Sequence, residues 1–295
     1  MGTQIKNRHI LSCLFICLIS FSSLCTAQDL ARSSDVNEIK SLKEQHLAMI
    51  SRKEHSPEHM SAYASSLDKT NPITVVYLEN YMQSAGEVAF SDEMFFILQD
   101  YMKDVAQERE VQHYITAKKL KKVRQFLGFT LRESPEGSVL DVDFDHLAGL
   151  VKGKGSSALN SYVIQMQKEL KKPVVKDGKL KISFKEVQQR LIFWEHFLQQ
   201  YGDFCARDRV ANHYNRYLQI FLLGTQNTPV FDSETHTLLP KMEKLYQKTL
   251  EKYPDTHTYR AVNGYYVWLL RHGTSYSDEL LKVVSDAMMK TDISL

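Results

Sequence analysis

Apolar residues that recur every three or four positions run through most of this chain, and that spacing constrains its fold more than any other feature. "SFKEVQQRLIFWEHFL" sets Phe184, Val187, Leu191, Trp194 and Leu198 along one side of a helix, with Ser183 and Glu186 at capping-box spacing. "SDEMFFILQDYMKDVAQ" opens on Ser91 as a cap, carries acids in its first turn, and aligns Met94, Leu98, Tyr101 and Val105. The same reading predicts helices over 35–53, 56–68, 72–84 and 111–127, the last ending at Gly128. Further helices are predicted over 157–172, 204–223 (stopping at Gly224), 240–252, 256–271 and 277–289, with a loop between Gly224 and about Leu239. The expected class is mainly α, with antiparallel helix pairs in an irregular bundle or short solenoid.

Two stretches break the helical period. "FTLRESPEGSVLDVDF" alternates about a Pro/Gly turn, and "PVVKDGKLKIS" holds an Asp-Gly pair between short alternating runs. Both predict β-hairpins, near 128–144 and 173–183, the second with type I′ turn chemistry. The expected organisation is a leader over 1–27, a helical part over 28–127, a basic mixed module over 128–182 and a second helical part over 183–295. "GLVKGKGSS" in the mixed module is read as a linker. It misses the phosphate-loop pattern because three residues, not four, separate Gly149 from Gly153-Lys154, and Gly155 stands where Ser or Thr is required.

The N-terminus sets the compartment. Lys6 and Arg8 precede an apolar run from Ile10 to about Ile19 and then the small-residue stretch "SFSSLCTAQ". This is the three-part pattern of a secretory signal peptide, with cleavage expected after Ala27. The run is shorter than the roughly 20 apolar residues that span a bilayer. An exported protein, bacterial periplasmic or secreted, is therefore expected. Cys13, Cys17 and Cys25 leave with the leader, so Cys205 alone remains and no internal disulfide can form. Stability must come from burial, and Cys205 itself is expected to be a buried or semi-buried inert thiol on an apolar helix.

Charge is balanced overall but polarised along the chain. Residues 28–117 carry 8 basic and 15 acidic side chains, whereas residues 118–190 carry 16 and 8. The basic middle either meets an anionic partner or docks on the acidic N-terminal part. Within it, "AKKLKKVRQF" is a basic helical stretch. Membrane contact through Lys118, Lys119, Lys121, Lys122 and Arg124 is a minor possibility, because Leu120, Val123, Phe126 and Leu127 offer little apolar face. No nucleic-acid partner is expected.

The last residues, 238–290, resemble a tetratricopeptide unit. Tyr246, Thr249 and Pro254 fall at the aromatic, small and Pro positions that close such a repeat, and a helix pair with a short link follows. Met242 stands at the usual small position, and the Trp-Leu-Gly signature of the first helix is missing.

"HSPEH" at 55–59 matches H-x-x-E-H, a zinc motif in which His55 and His59 would ligate at i and i+4 and Glu58 would polarise the bound water. Pro57 opposes it, since proline inside a helix costs about 3 kcal/mol. The expected structure has Ser56 as N-cap, Pro57 at the first helical position and Glu58 as a first-turn acid, with His55 outside the helix. A Cys–His nucleophile pairing Cys205 with His196 or His213 lacks the surrounding sequence of known cysteine proteases. The aromatic cluster "NGYYVWLLRH" remains. Tyr259, Tyr265, Tyr266, Trp268 and Arg271 are the candidate binding residues, with Gly264 expected to allow a close helix approach. The sequence thus predicts a non-catalytic binding or scaffold protein with a protein, peptide or glycan partner and no cofactor. The alternative is a metal-dependent hydrolase using His55, Glu58 and His59.

Overall fold

The computed structural model describes residues 56–67, 74–84, 91–109, 111–112, 121–134, 137–273 and 277–289. Among these it holds eleven helices and three two-stranded antiparallel hairpins. The chain is therefore mainly α with small hairpins, as its spacing predicts. The leader, the predicted helix over 35–53 and residues His55, Lys118 and Lys119 lie outside the described residues. Two compact units divide the chain, Met1–Gln167 and Lys168–Leu295. The two hairpins of the predicted mixed module fall in different units.

The first unit begins with α1 (Pro57–Ser66), which starts as its sequence dictates: Ser56 is extended and its hydroxyl accepts from His59 N at 3.2 Å. Next come α2 (Thr74–Ser84), α3 (Asp92–Gln107) and α4 (Lys121–Phe126). The hairpin β1 (Phe129–Ser134) and β2 (Gly137–Val142) follows, then α5 (Phe144–Val151) and α6 (Ser157–Lys171), whose last turn belongs to the second unit. Helix α3 is the hub, packing on α1, α2, α5 and β2. Its Met94, Leu98, Tyr101 and Val105 are buried on the predicted face. Ser91 caps by backbone conformation alone, with no side-chain hydrogen bond. Helix α2 is buried from Thr74 to Met82, and its Thr74 hydroxyl meets the Tyr101 hydroxyl at 2.6 Å. Gln112 joins α3 to the hairpin by donating to Ala106 O and accepting from Leu140 N.

Helix α5 was not foreseen from the period. Asp143, read as the end of a strand, instead accepts from the backbone N–H groups of Asp145 and His146 and starts a helix with Phe144, Leu147 and Val151 inward. The linker reading of "GLVKGKGSS" is corrected to that extent: Gly149 is helical, Ser157 already belongs to α6, and only residues 152–156 are irregular. Ser156 then caps α6, and Asp92 accepts from both its N–H and its hydroxyl.

The second unit continues with a tight hairpin, β3 (Val175–Lys176) and β4 (Lys179–Leu180). Asp177 and Gly178 both have positive φ, 54° and 69°, as a type I′ turn requires. Helices α7 (Phe184–Gln200) and α8 (Arg207–Leu223) form the most extensive pair. Ser183 caps α7, but the capping box is half formed. Its hydroxyl accepts from Glu186 N, while the Glu186 carboxylate turns away to Lys172 and Arg190. After α8, the stretch expected to be a loop contains a third hairpin, β5 (Gly224–Thr225) with β6 (Thr228–Pro229). Gly224 (φ +79°) serves as both helix stop and first strand residue. A Cβ there would lie 2.5 Å from Thr228 O, so no side chain fits. The remaining helices are α9 (Pro240–Lys252), α10 (His257–His272) and α11 (Asp278–Asp286), with α10 packing on both neighbours and on α7 and α8.

Candidate functional site

Helix α10 carries most of the candidate residues, and its position follows from how buried polar groups hold its ends. A helix leaves its first four N–H groups without intrahelical partners. Here Thr256 Oγ1 accepts from Tyr259 N at 2.9 Å. The carboxylate of Glu195 on α7, 0% exposed, accepts from His257 N, Thr258 N and the Thr258 hydroxyl. The Tyr214 hydroxyl of α8 completes the cluster, 3.0 Å from His257 Nδ1 and 3.1 Å from Thr258 Oγ1. The same logic applies in reverse at the end of α8. Two buried tyrosines satisfy its last carbonyls: Tyr246 donates to Phe221 O and Leu222 O, and Tyr265 donates to Leu222 O at 2.6 Å.

These contacts sort the candidate residues. Thr258, Ala261, Val262, Tyr265 and Leu269 form the buried face of α10. Tyr265 is 0% exposed, so its place in the candidate surface is corrected: it is core. Tyr259 and Tyr266 lie on a different stripe with Asn263 and Leu270, spaced i, i+4, i+7 and i+11. Leu270 is 67% exposed, a large apolar side chain left in solvent beside two half-buried tyrosines. Sequence reasoning passed over Leu270, although its i+4 spacing from Tyr266 was the available signal. Tyr266 is held in place: its hydroxyl donates to Glu243 Oε1 at 2.7 Å and accepts from Gln247 Nε2 at 3.3 Å, both on α9. The Glu243 carboxylate raises the Tyr266 pKa, keeping the phenol neutral.

Trp268 does not join that stripe. By helical rotation it lies on the other side of the buried face, where it stacks on His272 with ring centroids 4.7 Å apart and planes 19° from parallel. Arg271 is exposed. Gly264 is exposed too, and a Cβ built there meets nothing within 4 Å. Among the described residues, no helix makes the close approach expected at Gly264.

Other chemically suggestive groups are engaged in holding the fold. Glu169, 7% exposed, accepts from Trp194 Nε1 at 3.0 Å and from the Tyr217 hydroxyl at 2.7 Å. Arg190 donates to that hydroxyl, to Lys172 O and to Glu186. In the first unit the buried Glu79 carboxylate meets His146 Nε2 at 2.8 Å. Gly128 (φ +73°) lies directly over this imidazole, since a Cβ there would fall 2.5 Å from His146 Cδ2.

The sequence motifs resolve in the same way. Ser56 is extended (φ −133°, ψ 159°) and Pro57 opens α1, so the helical register that an i, i+4 pair of His55 and His59 needs is broken at Ser56. His59 is exposed, and the exposed Glu58 carboxylate is held below the ordinary range by its own backbone N–H and the Ser56 hydroxyl, which weakens it as a base. Among the described residues, no three His, Cys, Asp or Glu side chains group as a metal site. Cys205 is exposed, which corrects the expectation of a buried thiol. It precedes α8 rather than lying within it, because the helix starts at Arg207. His213 stacks on Trp194 at 5.0 Å, and His196 is exposed. In the basic stretch, Lys121 and Lys122 are exposed, but Arg124 is 5% exposed and cannot be a surface contact. No described helix is long and apolar enough to cross a membrane.

His257 gives this cluster a pH signature. Burial lowers its pKa, with Arg260 adding and the Glu195 carboxylate opposing. Below the ordinary imidazole value of about 6.5, the unfolded chain takes up a proton that the folded chain does not, so stability falls on acidification. Glu58, Glu186, Asp232 and Glu279 all have lowered pKa values, and the stability they supply is lost only below the ordinary carboxylate range. Urea midpoints are expected to drop between pH 7 and 5, and His257→Gln is expected to flatten that limb while leaving the steeper loss below pH 4.5 unchanged.

No family model, curated protein or solved structure matches the chain.

Proposed function

We propose that this chain is an exported, non-catalytic binding or scaffold protein that takes a protein or peptide partner on the outer stripe of α10. The observation that carries the reading is Leu270, 67% exposed in line with Tyr259 and Tyr266 while the adjoining face of the same helix fills the core. Anchors of this kind bind well when their rotamers are already set, and the two α9 partners of Tyr266 set its ring before any partner arrives. The buried carboxylates support the non-catalytic part, since Glu169 and Glu195 spend their oxygens on helix ends and indole or phenol donors.

Two measurements test the reading. N-terminal sequencing of the protein from an exported fraction should begin at Gln28; a chain beginning at Met1 in the cytoplasm would overturn export. Partner capture should be weakened at least tenfold by Leu270→Ser and by Tyr259→Ala. Leu270→Ser is a surface change expected to move stability by no more than about 0.5 kcal/mol, whereas Tyr259→Ala truncates a half-buried ring and is expected to cost about 1 kcal/mol while leaving the chain folded. Unchanged capture by both variants would remove the stripe from the interface.

A further inference from the structure

Seven lysines stand between residues 168 and 185 of the second unit, against two acids, and the fold leaves them exposed. One of the acids, Glu169, is turned into the core by Trp194 and Tyr217. The arrangement of the lysines is unfavourable on its own terms. Lys176 and Lys179 are direct cross-strand partners in the β3–β4 hairpin, where like charges repel. Lys185 lies in the first turn of α7, at the positive end of the helix dipole. Lys176, Lys179, Lys181 and Lys185 carry no ion pair among the described residues.

The platform that carries them is firm. Asn227 of the neighbouring hairpin donates from its backbone N–H to Gly178 O and from its side chain to Asp177 O, both at 2.9 Å, and Leu180 N donates to Thr228 Oγ1 at 3.2 Å. In the last turn of α6, Leu170 is 54% exposed beside Lys171, while Lys168 lies about 160° round the helix from it. Lys171 and Lys176 are five residues apart, within roughly 18 Å by chain reach. Clustered cations beside an exposed leucine are the chemistry of a surface that rests on anionic headgroups and dips an apolar side chain between them. There is no aromatic residue between 168 and 183 to stack a base and no arginine to grip a phosphate in bidentate fashion, which argues against nucleic acid.

We infer that the β3–β4 hairpin with the end of α6 (Leu170, Lys171, Lys176, Lys179 and Lys181) is a docking surface for an anionic phospholipid bilayer. None of these residues belongs to the α10 stripe. Each lysine near such a surface contributes a factor of about five to binding, so removing three should cost about a hundredfold.

The test is co-sedimentation of the whole chain with phosphatidylcholine vesicles, with and without phosphatidylglycerol, across a salt series. Binding should require phosphatidylglycerol and weaken as salt rises. Lys176→Gln/Lys179→Gln/Lys181→Gln should lose about a hundredfold and flatten the salt dependence. Leu170→Ser should weaken binding about tenfold at every salt concentration. A control with the same change in net charge, Lys241→Gln/Lys244→Gln/Lys248→Gln on α9, should bind as the parent does. Melting temperatures of all variants should match the parent, since every altered side chain is exposed. Equal loss in the hairpin and control variants would overturn the surface. So would binding to a soluble polyanion with none to vesicles.

Discussion

Trp194→Ala is expected to destabilise the second unit by about 3–5 kcal/mol, the range for deleting a fully buried large aromatic. Trp194 is 0% exposed, and its indole contacts Phe193, Phe197 and His213 at ring-centroid distances of 5.1, 5.9 and 5.0 Å. The loss is more than a cavity. Its Nε1–H is one of the donors to the buried Glu169 carboxylate, which would then keep only the Tyr217 hydroxyl among the bonds described for it. A buried acceptor deprived of a charge-assisted bond costs about 1–3 kcal/mol by itself. Trp194→Phe separates the two contributions, because it keeps most of the apolar contact and removes only the donor. The alanine variant should lower the melting temperature by roughly 10–15 °C, and the phenylalanine variant by a third to a half of that. Equal losses in both would assign the whole effect to the Glu169 bond.

Glu195→Ala should follow closely, at about 3 kcal/mol or more. It would leave the N–H groups of His257 and Thr258 buried at the start of α10 without their acceptor, each at about 1–3 kcal/mol. Glu195→Gln restores an oxygen but cannot satisfy both N–H groups and the Thr258 hydroxyl, so an intermediate loss is expected. Because Glu195 is the only α7 side chain bonded to the first turn of α10 among the described residues, amide exchange should localise the damage. Protection should fall first at 257–262, with 184–194 following only near global unfolding. Uniform loss of protection across the unit would mean that Glu195 does no more than fill the core.

The parts of the fold that were legible share one property: they are set by residues a few positions apart. Ser56-Pro57 and Ser183 mark helix starts because the cap hydroxyl bonds an N–H within the next turn. Asp177-Gly178 marks a hairpin because both residues tolerate positive φ. Trp194, Leu191 and Val187 reveal a buried face because a helix repeats every 3.6 residues. The misses are of another kind. Helix α5 was hidden because Asp143 reads equally as a strand end or a cap, and His146 is tied there by Glu79, 67 residues earlier. In "NGYYVWLLRH" the aromatics look equivalent, yet Tyr265 seals the end of α8, Tyr266 is bound to α9 and Trp268 stacks on His272.

Periodicity, caps and turn residues thus determined by themselves that this chain is mainly helical and where most of its helices begin and stop. They also determined that "HSPEH" opens a helix at Ser56 rather than lying within one. Tertiary structure alone decided which side of α10 faces the core, that Leu270 stays in solvent, and that the carboxylates of Glu169 and Glu195 serve as internal acceptors. The physical reason is range. A cap or a turn is satisfied within one helical turn of its own sequence. A buried carboxylate or tyrosine finds its partner on whichever element packing brings beside it, and for Glu195 that partner lies 62 residues away.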